Sequence, residues 1–314
     1  MSDNRPVYKP LLLGLFILSG CAALIYEVVW LQLLQLVIGS SAASLAVLLG
    51  TFMGGMCLGS VLLPRLIGPE MHPLRVYSAL EMGTGVFGLG VFWGLPVVEK
   101  LYISTLNHGV PGLFLRSIAA AICLLVPTMM MGATLPAMSR WMKDQPSWWG
   151  FFYGGNIAGG VFGTLLAGFW LLRVYDMAVA SYAAIGLNLL AAAGSWWTAS
   201  RTEFRNEPEN RAPEISKRTR DWGVYAAIAL SGLTALGAEV VWTRSLSLML
   251  GPTVYTFSII LGIFLTGLGL GSTGGAFLAR RQARLGFAAC QFLLVLAIGF
   301  AAWQLADKLP YWPG

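Results

Sequence analysis

Ser19-Gly20-Cys21-Ala22-Ala23-Leu24-Ile25-Tyr26-Glu27-Val28-Val29-Trp30 returns later in the chain as Ser231-Gly232-Leu233-Thr234-Ala235-Leu236-Gly237-Ala238-Glu239-Val240-Val241-Trp242. The register then holds without a gap through Gly39/Gly251, Gly50/Gly262, Phe52/Phe264, Gly55/Gly267 and Leu58-Gly59-Ser60/Leu270-Gly271-Ser272. Each copy reads as an apolar helix of membrane-spanning length carrying one glutamate, a short turn, and a second, glycine-rich apolar helix. A period this long is not that of a solenoid. It points to two homologous halves, an arrangement common among membrane transporters. An ionisable group inside a bilayer costs roughly 2.5–3.5 kcal/mol on insertion scales. Meeting that cost twice, at equivalent positions, asks for a reason.

Composition agrees with the membrane reading. The chain has 314 residues, 57% hydrophobic and 11% charged, with a mean hydropathy of +0.71. Soluble domains carry about 25% charge. The net charge of +6 does not indicate nucleic-acid binding, because the basic residues are spread over the loops between spans. Cys21, Cys57, Cys123 and Cys290 all lie inside apolar runs and read as small buried residues rather than a disulfide framework. His72 and His108 are the only histidines. No Cys/His cluster has metal-ligand spacing, and no metal or cofactor is expected.

Leu18-Ser19-Gly20-Cys21 mimics a lipoprotein signal. The apolar run continues past Cys21 to about Gly39, too long for a signal-peptide core, and the Ser-Gly step recurs at Ser231-Gly232. The stretch is read as a span.

About 20 apolar residues cross a bilayer. That ruler predicts nine spans, at roughly 11–37, 42–64, 74–97, 112–138, 149–171, 177–199, 222–249, 254–279 and 285–305. The expected organisation is a first six-helix half over 1–199, a charged linker over 200–221, and a partial second half of three helices over 222–314. The linker carries six basic and five acidic residues with Pro208 and Pro213. With the N-terminus in the cytoplasm, the inside segments hold Arg5, Lys9, Arg65, Arg75, Arg140, Lys143, the linker cations, Arg280, Arg281 and Arg284. The outside segments and span ends hold only Lys100, Arg116, Arg173 and Lys308. The positive-inside rule therefore orients the N-terminus inward. Six spans separate the two copies, so they share one orientation and form parallel halves, as in the major facilitator architecture.

Five residues are candidates for a binding site. Glu27 and Glu239 would meet in a central cavity and hold a cation or exchange protons; alternatively, each locks neighbouring helices through hydrogen bonds. Arg244, inside span seven where the first copy has Gln32, is a possible ion-pair partner across helices. It is five residues from Glu239, off the same helical face. Glu81 either lines the cavity or clamps Arg65 and Arg75 at the span entrance. Asn156 is a polar side chain among packing glycines and either bonds a facing helix or lines the cavity. Gly154, Gly155, Gly159, Gly160 and Gly163 fit small-residue helix packing, not a phosphate loop, because no strand precedes them. Gly267, Gly269 and Gly271 read the same way. Pro127 should kink span four, and Arg116 should anchor its outer end.

Taken in order, several motifs resemble a known family. These are Ser19-Gly20 with Tyr26-Glu27-Val28-Val29-Trp30, Gly59-Ser60 with the basic loop to Leu80-Glu81, and Met131-Gly132-Ala133-Thr134-Leu135-Pro136. Tyr153-Gly154-Gly155-Asn156 with Gly163 and Gly168-Phe169 follows, then the copy around Glu239-Val240-Val241-Trp242. Together they resemble the membrane domain of bacterial spermidine synthase-like proteins, in which a major-facilitator-type region is fused to a soluble synthase. The resemblance implies a bacterial inner-membrane location. It also implies an aminopropyltransferase domain using decarboxylated S-adenosylmethionine and a diamine. These 314 residues hold no such domain, so no catalytic or cofactor-binding residue carries over, and enzymatic activity stays open. Two functions remain expected. One is binding or transport of a small cationic, polyamine-like solute past Glu27, Glu239, Glu81 and Asn156, two carboxylates suiting a diamine. The other is a membrane anchor for a separate aminopropyltransferase-like partner.

Overall fold

The computed structural model describes residues 8–39, 41–68, 70–104, 112–143, 148–204, 222–251 and 253–308. Most of the expected linker, together with Arg5, His108 and the segment Leu309 to Gly314, lies outside them. Among the described residues the chain is all helical, with no strand. Nine helical stretches among the described residues are long and apolar enough to cross a membrane, which makes the chain a multi-pass membrane protein.

The helices are α1 (Lys9–Ile38), α2 (Ser41–Leu66), α3 (Pro73–Ser104), α4 (Gly112–Trp141), α5 (Trp149–Leu166), a π-helical segment (Ala167–Leu171), α6 (Leu172–Val174), α7 (Met177–Ser200), α8 (Trp222–Leu250) and α9 (Val254–Trp303). Local chemistry sets several ends. Pro10 occupies the first turn of α1, where its missing N–H is no loss. Gly39 ends that helix with φ +81°, its N–H donating to the Gln35 carbonyl at 3.0 Å. Asp176 caps α7 by accepting from the Val179 N–H at 2.8 Å. The helix α4 runs on through Pro127 and Pro136. Next to Pro127, the Thr128 hydroxyl donates to the Leu124 carbonyl at 2.8 Å, so its own polarity is met within the helix.

Gly39 and Gly251 are the only described residues with positive φ, at +81° and +88°. They occupy equivalent positions in the two sequence copies, between α1 and α2 and between α8 and α9.

The backbone of α9 is helical over 50 residues, where the sequence predicts two spans separated at Arg280 to Arg284. The intervening Ala276-Phe277-Leu278-Ala279-Arg280-Arg281-Gln282-Ala283-Arg284 contains no glycine, proline or asparagine to stop a helix. The helix is nevertheless not a straight rod. At 1.5 Å per residue, Gln291 would lie roughly 55 Å from the start of α9, while Ser231 lies only about 30 Å from the end of α8. Yet Gln291 donates to the Ser231 hydroxyl at 2.9 Å.

Two compact units are distinguishable: Met1–Thr219 with Ala235–Thr266, and Arg220–Thr234 with Gly267–Gly314. In the first, α1 is the central helix. It is apolar all round, and 67% of its most hydrophobic window is buried, against 39% or less in every other span. It packs on α5, α7, α2, α3 and α4, around a core in which Tyr26 stacks on Trp30 with ring centroids 5.1 Å apart and Trp30 meets Phe52. Glycines permit the close approach. A Cβ on Gly159 or Gly163 would strike the Ile17 or Cys21 carbonyl of α1, and one on Gly59 the Met129 backbone of α4. The expected packing role of Gly159 and Gly163 is thus observed. That of Gly267 and Gly271 is not: a Cβ at either has no described atom within 4 Å. The second unit is helical, with mostly exposed side chains and the Ser231–Gln291 bond at its centre.

The cysteines are free. Cys21 is buried as expected and Cys123 half-buried, whereas Cys57 and Cys290 are exposed. A thiol is apolar enough to face lipid, so burial inside protein is not forced on it.

Candidate functional site

Glu27 and Glu239 are both buried, at 1% and 5% exposure. One sits on α1 and the other on α8. They are close enough for the Glu239 charge to act on Glu27. In each carboxylate the Oε1 atom has no hydrogen-bond partner. An interhelical lock would satisfy those oxygens; these are not satisfied.

A small cavity opens beside Val240, one position on from Glu239, with a volume of about 30 Å³. Its wall pairs equivalent positions of the two sequence copies: Leu31 with Thr243, Gln32 with Arg244, Gln35 with Ser247, and Leu45 with Phe257. The space suffices for about one or two water molecules, since one needs roughly 10–15 Å³. Arg244 is exposed at this cavity, whereas Glu239 is buried.

Glu81 and Asn156 take other positions. Glu81 is 1% exposed and accepts a hydrogen bond from the Ser19 hydroxyl of α1 at 2.5 Å. The expected clamp with Arg65 and Arg75 is not formed. Arg65 is exposed, and the Arg75 guanidinium lies over the Trp196 ring, 5.8 Å from its centroid. Asn156 donates from Nδ2 to the Phe16 carbonyl at 3.0 Å, and its backbone abuts Gly20. It therefore joins α5 to α1 rather than lining the cavity. Arg116, expected as an interfacial anchor, donates to the Val37 carbonyl at 2.9 Å and so caps the last turn of α1.

Other polar residues at the cavity and around Glu81 carry no strong mark in the sequence pattern. Gln35, Thr243 and Ser247 line the cavity. Ser19 and Asn188 bond Glu81, the latter donating from Nδ2 to the backbone carbonyl at 3.4 Å. Two have a faint sequence signal: Asn188 is a lone amide within an apolar run, and Ser19 is repeated as Ser231.

A second, open groove of about 780 Å³ lies between the α2–α3 connection and the end of α7. His72 stands in its wall, stacked on Trp141 with centroids 5.6 Å apart. One ring nitrogen, Nδ1, accepts from the Leu74 N–H, leaving Nε2 to donate to the Thr202 carbonyl at 3.1 Å.

Among the described residues no group of three or more His, Cys, Asp or Glu side chains is arranged to hold a metal ion. No protein-family model, curated protein or solved structure matches the chain.

Proposed function

We infer that this multi-pass protein binds a small cationic solute, of the protonated-amine class, at Glu27 and Glu239 and passes it across the membrane. One observation carries this reading: the Glu239 charge acts on Glu27, and each of these buried glutamates keeps an oxygen without a partner. Two carboxylates in this state invite a positive charge, and a cation with several N–H donors satisfies both. The paired walls of the adjacent cavity support the same reading. Leu31/Thr243, Gln32/Arg244, Gln35/Ser247 and Leu45/Phe257 are what a pseudo-two-fold axis between parallel halves would bring together. The reading includes a major-facilitator-like arrangement with a partial second half, an inner-membrane location and an inward N-terminus. It carries over from the spermidine synthase-like resemblance a polyamine as the solute to try first.

Both glutamates are buried, so an organic amine would reach them only after α8 and α1 part. Labelled putrescine and spermidine binding to the purified protein tests the reading. Wild type is expected to bind saturably, and Glu27→Gln/Glu239→Gln to lose binding at unchanged expression. Absence of saturable binding in wild type would overturn it.

The small cavity and the much larger groove favour a second reading. In it the protein is a membrane anchor whose groove around His72, Arg75 and Glu203 meets a separate, soluble aminopropyltransferase-like enzyme. Co-purification of such an enzyme with the wild type, lost on His72→Ala and Arg75→Ala and retained in the glutamate double variant, would select it.

A further inference from the structure

Glu81 belongs to a buried polar cluster that the glutamate pair does not use. Tyr77, Glu81 and Thr84 fall at i, i+4 and i+7 along α3, one helical face. Ser19 reaches Glu81 from α1 and Asn188 from α7. The Tyr77 hydroxyl stands beside the same carboxylate but off hydrogen-bonding geometry. All five side chains are buried, with Tyr77, Glu81, Thr84 and Asn188 at 2% exposure or less.

Three oxygens in this cluster have no partner: Tyr77 Oη, Thr84 Oγ1 and Asn188 Oδ1. Orphaned buried polar atoms at this density are unusual and call for an occupant. The Asn188 amide is anchored through Nδ2 to the Glu81 carbonyl, which leaves its Oδ1 atom as the free acceptor within the cluster. Among the described residues no basic side chain acts on Glu81.

We propose that Ser19, Tyr77, Glu81, Thr84 and Asn188, between α1, α3 and α7, form a binding site for a bare monovalent metal cation of the sodium type. The ligand atoms are oxygens only, which selects a hard cation over a transition metal. One carboxylate supplies one formal negative charge, which balances a monovalent ion and falls short of the several carboxylates that divalent sites gather. Burial leaves no opening for an organic cation. A bound ion would satisfy the carboxylate and the three orphaned oxygens together and draw α1, α3 and α7 against one another. The site is separate from the Glu27–Glu239 pair and does not depend on the solute proposed for it.

The test is sodium binding to the full-length purified protein. It is read by saturation with labelled sodium and by the melting temperature in sodium chloride against choline chloride at equal ionic strength. Wild type is expected to bind saturably and to melt higher in sodium. Glu81→Gln and Asn188→Leu should weaken binding by roughly tenfold or more and remove the sodium-specific shift, while Glu239→Gln keeps both. Should Asn188→Leu not fold, Ser19→Ala and Thr84→Val remove one oxygen each at little change of volume and should weaken binding in the same direction. A wild type without saturable sodium binding would overturn the proposal, leaving the cluster to ordered water. So would binding that survives Glu81→Gln but is lost in Glu239→Gln.

Discussion

A charged or polar side chain among apolar helices has to find a partner, and single residues here differ in whether they do. Arg116 finds the carbonyl end of α1 through Val37. A cation there satisfies an orphan carbonyl and meets the negative end of the helix dipole. Arg116→Met should therefore destabilise the protein by about 0.3–1 kcal/mol, read as a lower melting temperature, and Arg116→Lys should recover part of it. Asn156 finds the Phe16 carbonyl and Arg75 the face of Trp196. Among the described carboxylates, Glu27 and Glu239 are the ones that keep a buried oxygen unpartnered. That sets them apart from Glu81, whose carboxylate accepts from Ser19. Each single variant, Glu27→Gln or Glu239→Gln, removes one of two facing charges. If the pair is empty in the resting protein, each is expected to raise thermal stability slightly while lowering amine binding. A fall in stability would instead mark the pair as a lock.

At the level of helices, the two sequence copies are built alike and packed differently. Each is a long helix, a left-handed glycine and another helix. Each also uses its equivalent serine to reach a side chain farther on, Ser19 to Glu81 and Ser231 to Gln291. The glycine faces diverge. In the first copy Gly20, Gly55 and Gly59 lie against Asn156, Thr128 and Met129, whereas a Cβ at the equivalent Gly232, Gly267 or Gly271 meets no described atom within 4 Å. This asymmetry gives a direct test. Gly59→Ala forces the α2–α4 contact apart and should cost about 1–3 kcal/mol, the usual range for overpacking. Gly271→Ala, with open space and helical backbone, should be neutral or slightly stabilising, because alanine is the better helix former. Equal losses at both positions would mean that the second copy is covered by groups other than those described.

For the molecule as a whole, the side of the membrane that the basic run of α9 faces decides the topology. The basic run at Arg280 to Arg284 is where the positive-inside rule would put a cytoplasmic segment. With the native cysteines replaced, Ser2→Cys and Arg281→Cys are expected to react with a membrane-impermeant maleimide from the same side of oriented vesicles. Labelling from opposite sides would show an odd number of crossings between them and would sink the nine-span topology in its parallel form.

Much of this was legible along the chain. Membrane class, the number and approximate ends of the spans, the repeat and the presence of ionisable groups inside it follow from composition and period. Transfer of apolar residues from water and satisfaction of backbone hydrogen bonds within a helix are local and nearly additive, so a one-dimensional reading captures them. The partner of each polar side chain was not legible. Whether Glu81 meets Arg75 or Ser19, and whether Asn156 faces a cavity or the Phe16 carbonyl, depends on which helix faces come together across tens of residues. Hydropathy cannot choose among them, because every face of these helices is apolar enough for either lipid or protein. Close approach of backbones at Gly20, Gly59, Gly159 and Gly163 made that choice. Only the tertiary structure could then bring Glu27 and Glu239 within reach of each other's charge while gathering a separate ring of oxygens around Glu81.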